Sequence, residues 1–135
     1  MLIPLSWLKE FVDIKLPVEE LAVKLSNAGL AVEKWTKDGE DYILDSEITP
    51  NRPDWMSVYG MAREISALTG AKLKEPVLKI ETKKIKKPLP IVIKPNYDLV
   101  PRITSVIIRN VTVKPSPLWL SKRIKQIGLR PINNL

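Results

Sequence analysis

Two acids, Asp45 and Glu47, stand two residues apart in a run that reads as extended, and strand alternation puts both on one face. Such a pair could serve glycoside hydrolysis or help to hold a metal ion. With no histidine and no cysteine in 135 residues, the commonest general base, the commonest metal ligand and every thiolate are missing. No third acid converges on the pair, so a solvated strand face is the simpler account. The five glycines build no phosphate loop and each reads as a turn or a helix stop. No serine occupies a nucleophile elbow. Catalysis is therefore not expected from this chain.

The cations offer more. Lys83, Lys84, Lys86 and Lys87 form a compact patch and are the candidates for phosphate contact, with Lys72, Lys74 and Lys79 close in sequence. Lysines that meet phosphates raise affinity without reading sequence. An ordinary solvated surface is the competing account. Lys122, Arg123 and Lys125 add charge on a C-terminal helix, and Arg130 follows it. In the turn Asn51-Arg52-Pro53-Asp54, an arginine between structural residues can grip a carboxylate through two bonds. Asp45, Glu47 or a partner's acid are the candidates for its grip. Trp7, Trp55 and Trp119 are expected to be packed rings, and Trp35 is the tryptophan most open to exposure.

The elements that must carry these residues follow from spacing. Ser6 is read as the cap of a short helix reaching Val12, with Trp7, Leu8, Phe11 and Val12 as its apolar stripe. Pro17 opens a second helix in which Leu21, Leu25 and Ala28 recur at helical spacing, and Gly29 stops it. Extended runs at 31–35 and 42–44 flank an Asp-Gly turn and predict a hairpin. Two prolines force an irregular turn over 49–54, after which Asp54 is read as the cap of a third helix from Trp55 to Thr69. Short strands are expected at 77–80 and 91–93 and a longer one at 104–113. Ser116 and Pro117 then open a fourth helix that buries Leu120, Ile124 and Ile127.

Charge divides the chain. Residues 1–70 carry seven basic and twelve acidic side chains, a net of −5, and residues 71–135 carry fifteen basic and three acidic, a net of +12. The basic half fits an acidic or polyanionic partner. No stretch has the length and apolarity of a membrane helix, nor the pattern of a signal peptide, so an intracellular, soluble protein is expected. The fold class is α+β: a winged-helix-like N-terminal domain of three helices and a hairpin over 1–80. A basic linker and the incomplete start of a larger α/β domain are expected over 81–135.

Three blocks of sequence carry a resemblance. The first is Pro4-Leu5-Ser6-Trp7-Leu8-Lys9-Glu10-Phe11-Val12-Asp13, continued at Glu19-Glu20-Leu21-Ala22 and 28–33. The second runs from Ile48 through Asn51-Arg52-Pro53-Asp54 and then from Ser57 to Gly70. The third is Ser116-Pro117-Leu118-Trp119-Leu120, Arg123 and 128–134. In this order they resemble the N-terminal region of the bacterial-type phenylalanyl-tRNA synthetase beta subunit. The resemblance implies a cytoplasmic complex of two alpha and two beta subunits that charges tRNA-Phe with phenylalanine using ATP and Mg²⁺. The partners implied are the remainder of the beta subunit, the alpha subunit and tRNA-Phe; no cofactor is assigned to this chain itself. Residues 1–80 correspond to the family's first small domain, and the following part to the opening of its B3/B4 editing domain, whose pocket is built mainly from later sequence. The inserted oligonucleotide-binding-fold module of the family is missing, since only Lys34 to Asp41 stands between the matching halves. Trp55 replaces a frequent cysteine, and Val100-Pro101-Arg102-Ile103 departs from a usual Cys-Pro-Arg-Tyr. Asn51, Arg52, Pro53 and Asp54 match the family signature and are given a structural role as turn, brace and cap. A scaffold piece of the synthetase is the leading reading. A free-standing tRNA-binding or regulatory paralogue is the alternative, and a DNA-binding winged-helix protein rests on fold analogy alone.

Overall fold

The structure is a computed structural model and describes residues 1–77, 98–104 and 108–135. Its elements run β1 (Leu2–Pro4), α1 (Leu5–Leu8), α2 (Val18–Asn27), β2 (Val32–Asp38), β3 (Asp41–Ser46), α3 (Val58–Thr69) and α4 (Leu118–Gln126). A single 3-10 turn, Pro53–Trp55, precedes α3. The described residues form an α+β fold whose antiparallel sheet has the order β1-β3-β2. The hairpin is present and longer than its sequence signals. Gly39, at φ +61°, and Glu40 form a two-residue loop between the paired Asp38 and Asp41.

The strand at the very start has no signal in the sequence. Leu2, Ile3 and Pro4 pair with Asp45, Leu44 and Ile43. A three-residue strand ending in proline lies below what periodicity can detect, and its partner makes it. Position decides its value: Ile3 is fully buried at the centre of the sheet's inner face beside Leu44. Around these two residues pack Leu8, Leu21, Leu25, Trp55, Met61 and Ile65, one from each neighbouring element or more.

Several boundaries differ from expectation for local reasons. The regular helix α1 ends at Leu8, and the chain reaches Val12 through successive turns in which Phe11 and Val12 donate to the Leu8 carbonyl. Ser6 does not cap it; Asp41 does so from the hairpin, accepting from the Ser6 N–H at 2.9 Å and from its hydroxyl. Nor does Asp54 cap α3. That helix starts at Val58, where the Ser57 hydroxyl oxygen accepts from the Gly60 N–H at 2.9 Å. Gly70, at φ +72°, closes it. On α4, Pro117 is the cap residue, and the Ser116 hydroxyl donates instead to the Asn133 carbonyl.

Two compact units are present, Met1–Pro76 with Lys114–Leu135, and Val77–Val113. In the first, α4 lies against β1. Leu120, Ile124 and Ile127 are half-buried there, and the buried residue of the helix is Gln126. In the second, the described residues of 104–113 form no strand. Asn110 stands at φ +58°, a left-handed conformation that interrupts an extended run, and Ile108, Val111 and Val113 are exposed. β-Branched side chains favour a strand only where a neighbouring strand receives them. Of the strand expected at 77–80, residues 78–80 lie outside the described residues, as does the whole of the strand expected at 91–93.

Candidate functional site

Four side chains converge where the Pro53–Trp55 turn meets α3. Two prolines and the turn's own hydrogen bonds, Arg52 N–H to the Thr49 carbonyl and Trp55 N–H to the Arg52 carbonyl, set the Arg52 backbone. Its guanidinium reaches Asp54 through Nε at 3.0 Å and Nη2 at 2.8 Å. The same Nη2 meets Glu64 of α3 at 3.0 Å. Glu64 also accepts from the Trp55 indole N–H at 3.0 Å, and the guanidinium lies 3.4 Å from the centre of the Trp55 ring. One arginine is thus held by two carboxylates and one aromatic face. Hydrogen bonding to Arg52 is the leading cause that holds the Asp54 carboxyl below its ordinary pKa. Hydrogen bonding to Asp54 is the leading cause that raises the Arg52 pKa. The partners differ from those expected: Arg52 grips Asp54 and Glu64, not Asp45 or Glu47.

A second reason fixes this corner. A Cβ on Gly60 would stand 1.8 Å from the Asp54 carbonyl oxygen. Gly60 is therefore neither turn nor cap but the point where α3 touches the preceding turn. Glycine inside a helix is costly, and that cost was the available sign of a close approach. Glu64 gave a weaker sign: it follows the buried Met61 by three positions and so lies beside the buried face of the helix, where an acid gains from a partner.

The remaining candidates separate. Asp45 pairs with Lys34 at 3.6 Å and with the Met1 amino group at 3.4 Å rather than acting together with Glu47. Among the described residues no three His, Cys, Asp or Glu side chains come together as a metal site. Lys83, Lys84, Lys86 and Lys87 lie outside the described residues. Arg123 does not stand free for a polyanion, because it pairs with Glu10 and lies 4.9 Å from the Trp7 ring centre. Trp119, expected to be packed, is 63% exposed, next to Leu118 at 90%. Trp55 is the buried ring, at 2%. Trp35 is partly exposed and packs edge-on against Tyr42.

A polar cluster that sequence reasoning missed joins distant parts of the first unit. Buried Gln126 donates to Asp38 at 2.8 Å and to Asp41 at 3.4 Å. Asp41 in turn holds Ser6. The hairpin end, α1 and α4 are tied through one carboxylate, and nothing in local sequence marks residues 35 and 85 positions apart as neighbours.

Comparison with known proteins points one way. Residues 99–135 match the family described as the B3/4 domain. The chain is 47% identical over 98 residues to the phenylalanine-tRNA ligase beta subunit of Carboxydothermus hydrogenoformans, covering 71% of this chain and 12% of that protein. It is 39% identical over 137 residues to the beta subunit of Rhodopirellula baltica, covering all of this chain and 20% of that protein. A third relative, from Thermotoga maritima, is 41% identical over 93 residues, 69% of this chain and 12% of its own length. This chain therefore spans about an eighth to a fifth of the length of these relatives. The second match covers 135 residues in 137 positions, which leaves no room for an inserted domain opposite the Gly39-Glu40 loop.

Proposed function

This chain belongs to the phenylalanine-tRNA ligase beta-subunit family, and from that premise we propose that it serves as a scaffold piece of such a subunit, without a catalytic site of its own. The observation that carries the reading is the end-to-end match at 39% identity to one fifth of a beta subunit. On this proposal the activity belongs to the assembled enzyme, which charges tRNA-Phe with phenylalanine in the cytoplasm. ATP and Mg²⁺ are used by that complex, and the partners are the rest of the beta subunit, the alpha subunit and tRNA-Phe.

The geometry supports a role in shape rather than in reaction. Arg52 is committed to two carboxylates, which leaves it poorly placed to receive a substrate anion. In our reading Asn51, Arg52, Pro53 and Asp54 act as a turn and brace that fix the entry to α3. A chimera tests the proposal. The Carboxydothermus hydrogenoformans beta subunit would have its corresponding stretch replaced by this chain and be co-expressed with its alpha subunit. Co-purification of both subunits and charging of tRNA-Phe are expected, whereas the 135-residue chain by itself should charge none. Charging by the isolated chain, or a chimera that binds no alpha subunit although the native beta subunit does, sinks the reading.

A further inference from the structure

Of the five glycines, only Gly39 follows an aspartate, and none follows an asparagine. Asp38 ends β2 and Gly39 begins the two-residue loop of the hairpin. The carboxyl carbon of an aspartate can be attacked by the amide nitrogen of the next residue. Glycine hinders that attack least, because it has no Cβ. Local structure leaves the dipeptide open to it. Asp38 is exposed, Gly39 stands outside the strand pairing at φ +61°, and no atom lies within 4 Å of where its Cβ would be. A groove of about 440 Å³, with Asp38, Leu118, Ser121 and Gln126 in its lining, brings water to the same place.

The Asp38 carboxylate also has a partner of consequence. The Gln126 amide, on a residue only 6% exposed in α4, donates to it at 2.8 Å and to Asp41 at the longer distance of 3.4 Å. Asp41 is already engaged by the Ser6 N–H and hydroxyl. Asp38 is therefore the acceptor on which Gln126 chiefly depends, and a buried amide deprived of its acceptor is destabilising. A reaction that consumes this carboxylate loosens α4 from the hairpin.

We infer that Asp38 is a site of isoaspartate formation and that Gln126 restrains it. The Gly39 nitrogen bonds to the Asp38 carboxyl carbon, and one carboxylate oxygen leaves as water with the Gly39 amide proton and a proton from solvent. The product is a neutral succinimide. Water then adds to the former main-chain carbonyl and breaks its bond to the Gly39 nitrogen, so that the chain now runs through the Asp38 side chain. Water released in the first step is consumed in the second, and no other reactant enters. Ring closure removes the charge that Gln126 grips, so that bond must weaken as the ring forms. The isomerised backbone is one carbon longer beside a tight loop, which disturbs the Asp38–Asp41 pair that closes the hairpin. Its new carboxylate sits directly on Cα and reaches less far towards Gln126. The inference does not depend on the scaffold role.

The test follows isoaspartate in the full chain during incubation at neutral pH, by mass spectrometry of proteolytic peptides fragmented by electron transfer. Chain unfolded in urea supplies the unrestrained rates at Asp38 and at Asp45, which precedes Ser46 within the paired strand β3. Asp38 should isomerise in the folded chain, more slowly than in urea. Gln126→Met keeps the volume of the side chain without its donor, and should raise the Asp38 rate about threefold or more, with Asp45 left at its folded rate. Chain isomerised at position 38 should exchange amide hydrogens faster across Leu118–Gln126 than unreacted chain. Asp38→Glu, in which the five-membered ring cannot close, should show no such gain after the same incubation. The inference is overturned by no isoaspartate at position 38 in either the unmodified chain or Gln126→Met, by equal Asp38 rates in the two, or by α4 exchange unaltered by isomerisation. Equal acceleration at Asp38 and Asp45 would assign the effect of Gln126→Met to unfolding and overturn the restraint.

Discussion

At Gly60, alanine sets two effects against each other. Helix propensity favours the methyl by about 1 kcal/mol. Contact opposes it, because the added carbon would meet the Asp54 carbonyl at 1.8 Å, and the clash is with backbone. Overpacking of this severity costs about 2 kcal/mol or more, so contact wins. The net of about 1 kcal/mol or more means that Gly60→Ala should melt at least ~4 °C lower than the unmodified chain; a rise in melting temperature would show that α3 can draw back from the turn. The neighbouring ion pair gives a pH dependence. Since the folded Asp54 carboxyl is held below its ordinary value, its contribution is complete above the unfolded value of about 3.9 and disappears as pH falls through the folded value. Its side chain is 48% exposed, so water screens the pair and the contribution is small. Melts of Asp54→Asn and the unmodified chain should therefore differ most above about pH 5 and converge in acid. A gap that does not change with pH would assign the effect of Asn to packing alone.

Among the elements, α1 shows how a four-residue helix can persist. Isolated helices of that length do not form in water. Here Leu5 and Leu8 are buried, and the first turn receives its acceptor from Asp41, thirty-five positions away. Removal of that carboxylate frees the Ser6 N–H, the Ser6 hydroxyl and one contact of Gln126 together. Asp41→Ala should cost about 1–3 kcal/mol, measured by urea unfolding, with faster hydrogen exchange at the Ser6 amide. Exchange at Ser6 that stays as slow as in the unmodified chain would show that the cap is dispensable. Asp38 makes one of the same contacts from an exposed position, so Asp38→Ala should cost less.

On the scale of the whole molecule, four tryptophans report on how the chain is covered. Trp55 is sealed in the core and Trp119 is open on the first turn of α4. Trp119→Phe should reduce the acrylamide-accessible fraction of the fluorescence, and Trp55→Phe should increase it. The opposite pattern would mean that α4 presents another face. Charge also acts at this scale. The net +12 of residues 71–135 stands against −5 before it, and one interaction across that division, Arg123 with Glu10 beneath the Trp7 ring, helps to hold α4 on the first unit.

What the sequence determined by itself was whatever depends on neighbours along the chain. The stops at Gly29 and Gly70, the Gly39 loop and the apolar stripes of α2 and α3 are local consequences of residue type, so both helices and the hairpin were legible. The same holds for the signature blocks through which the chain resembles its family. Tertiary structure decided what depends on residues far apart. β1 exists because β3 pairs with it, Asp41 caps a helix that Ser6 was expected to cap, and Gln126 is buried because two hairpin carboxylates receive it. Arg52 chose Glu64 because α3 brings that acid alongside the turn, and the approach is open only because position 60 lacks a Cβ. A pattern of local propensities cannot encode such meetings, since each is set by the path of the whole backbone.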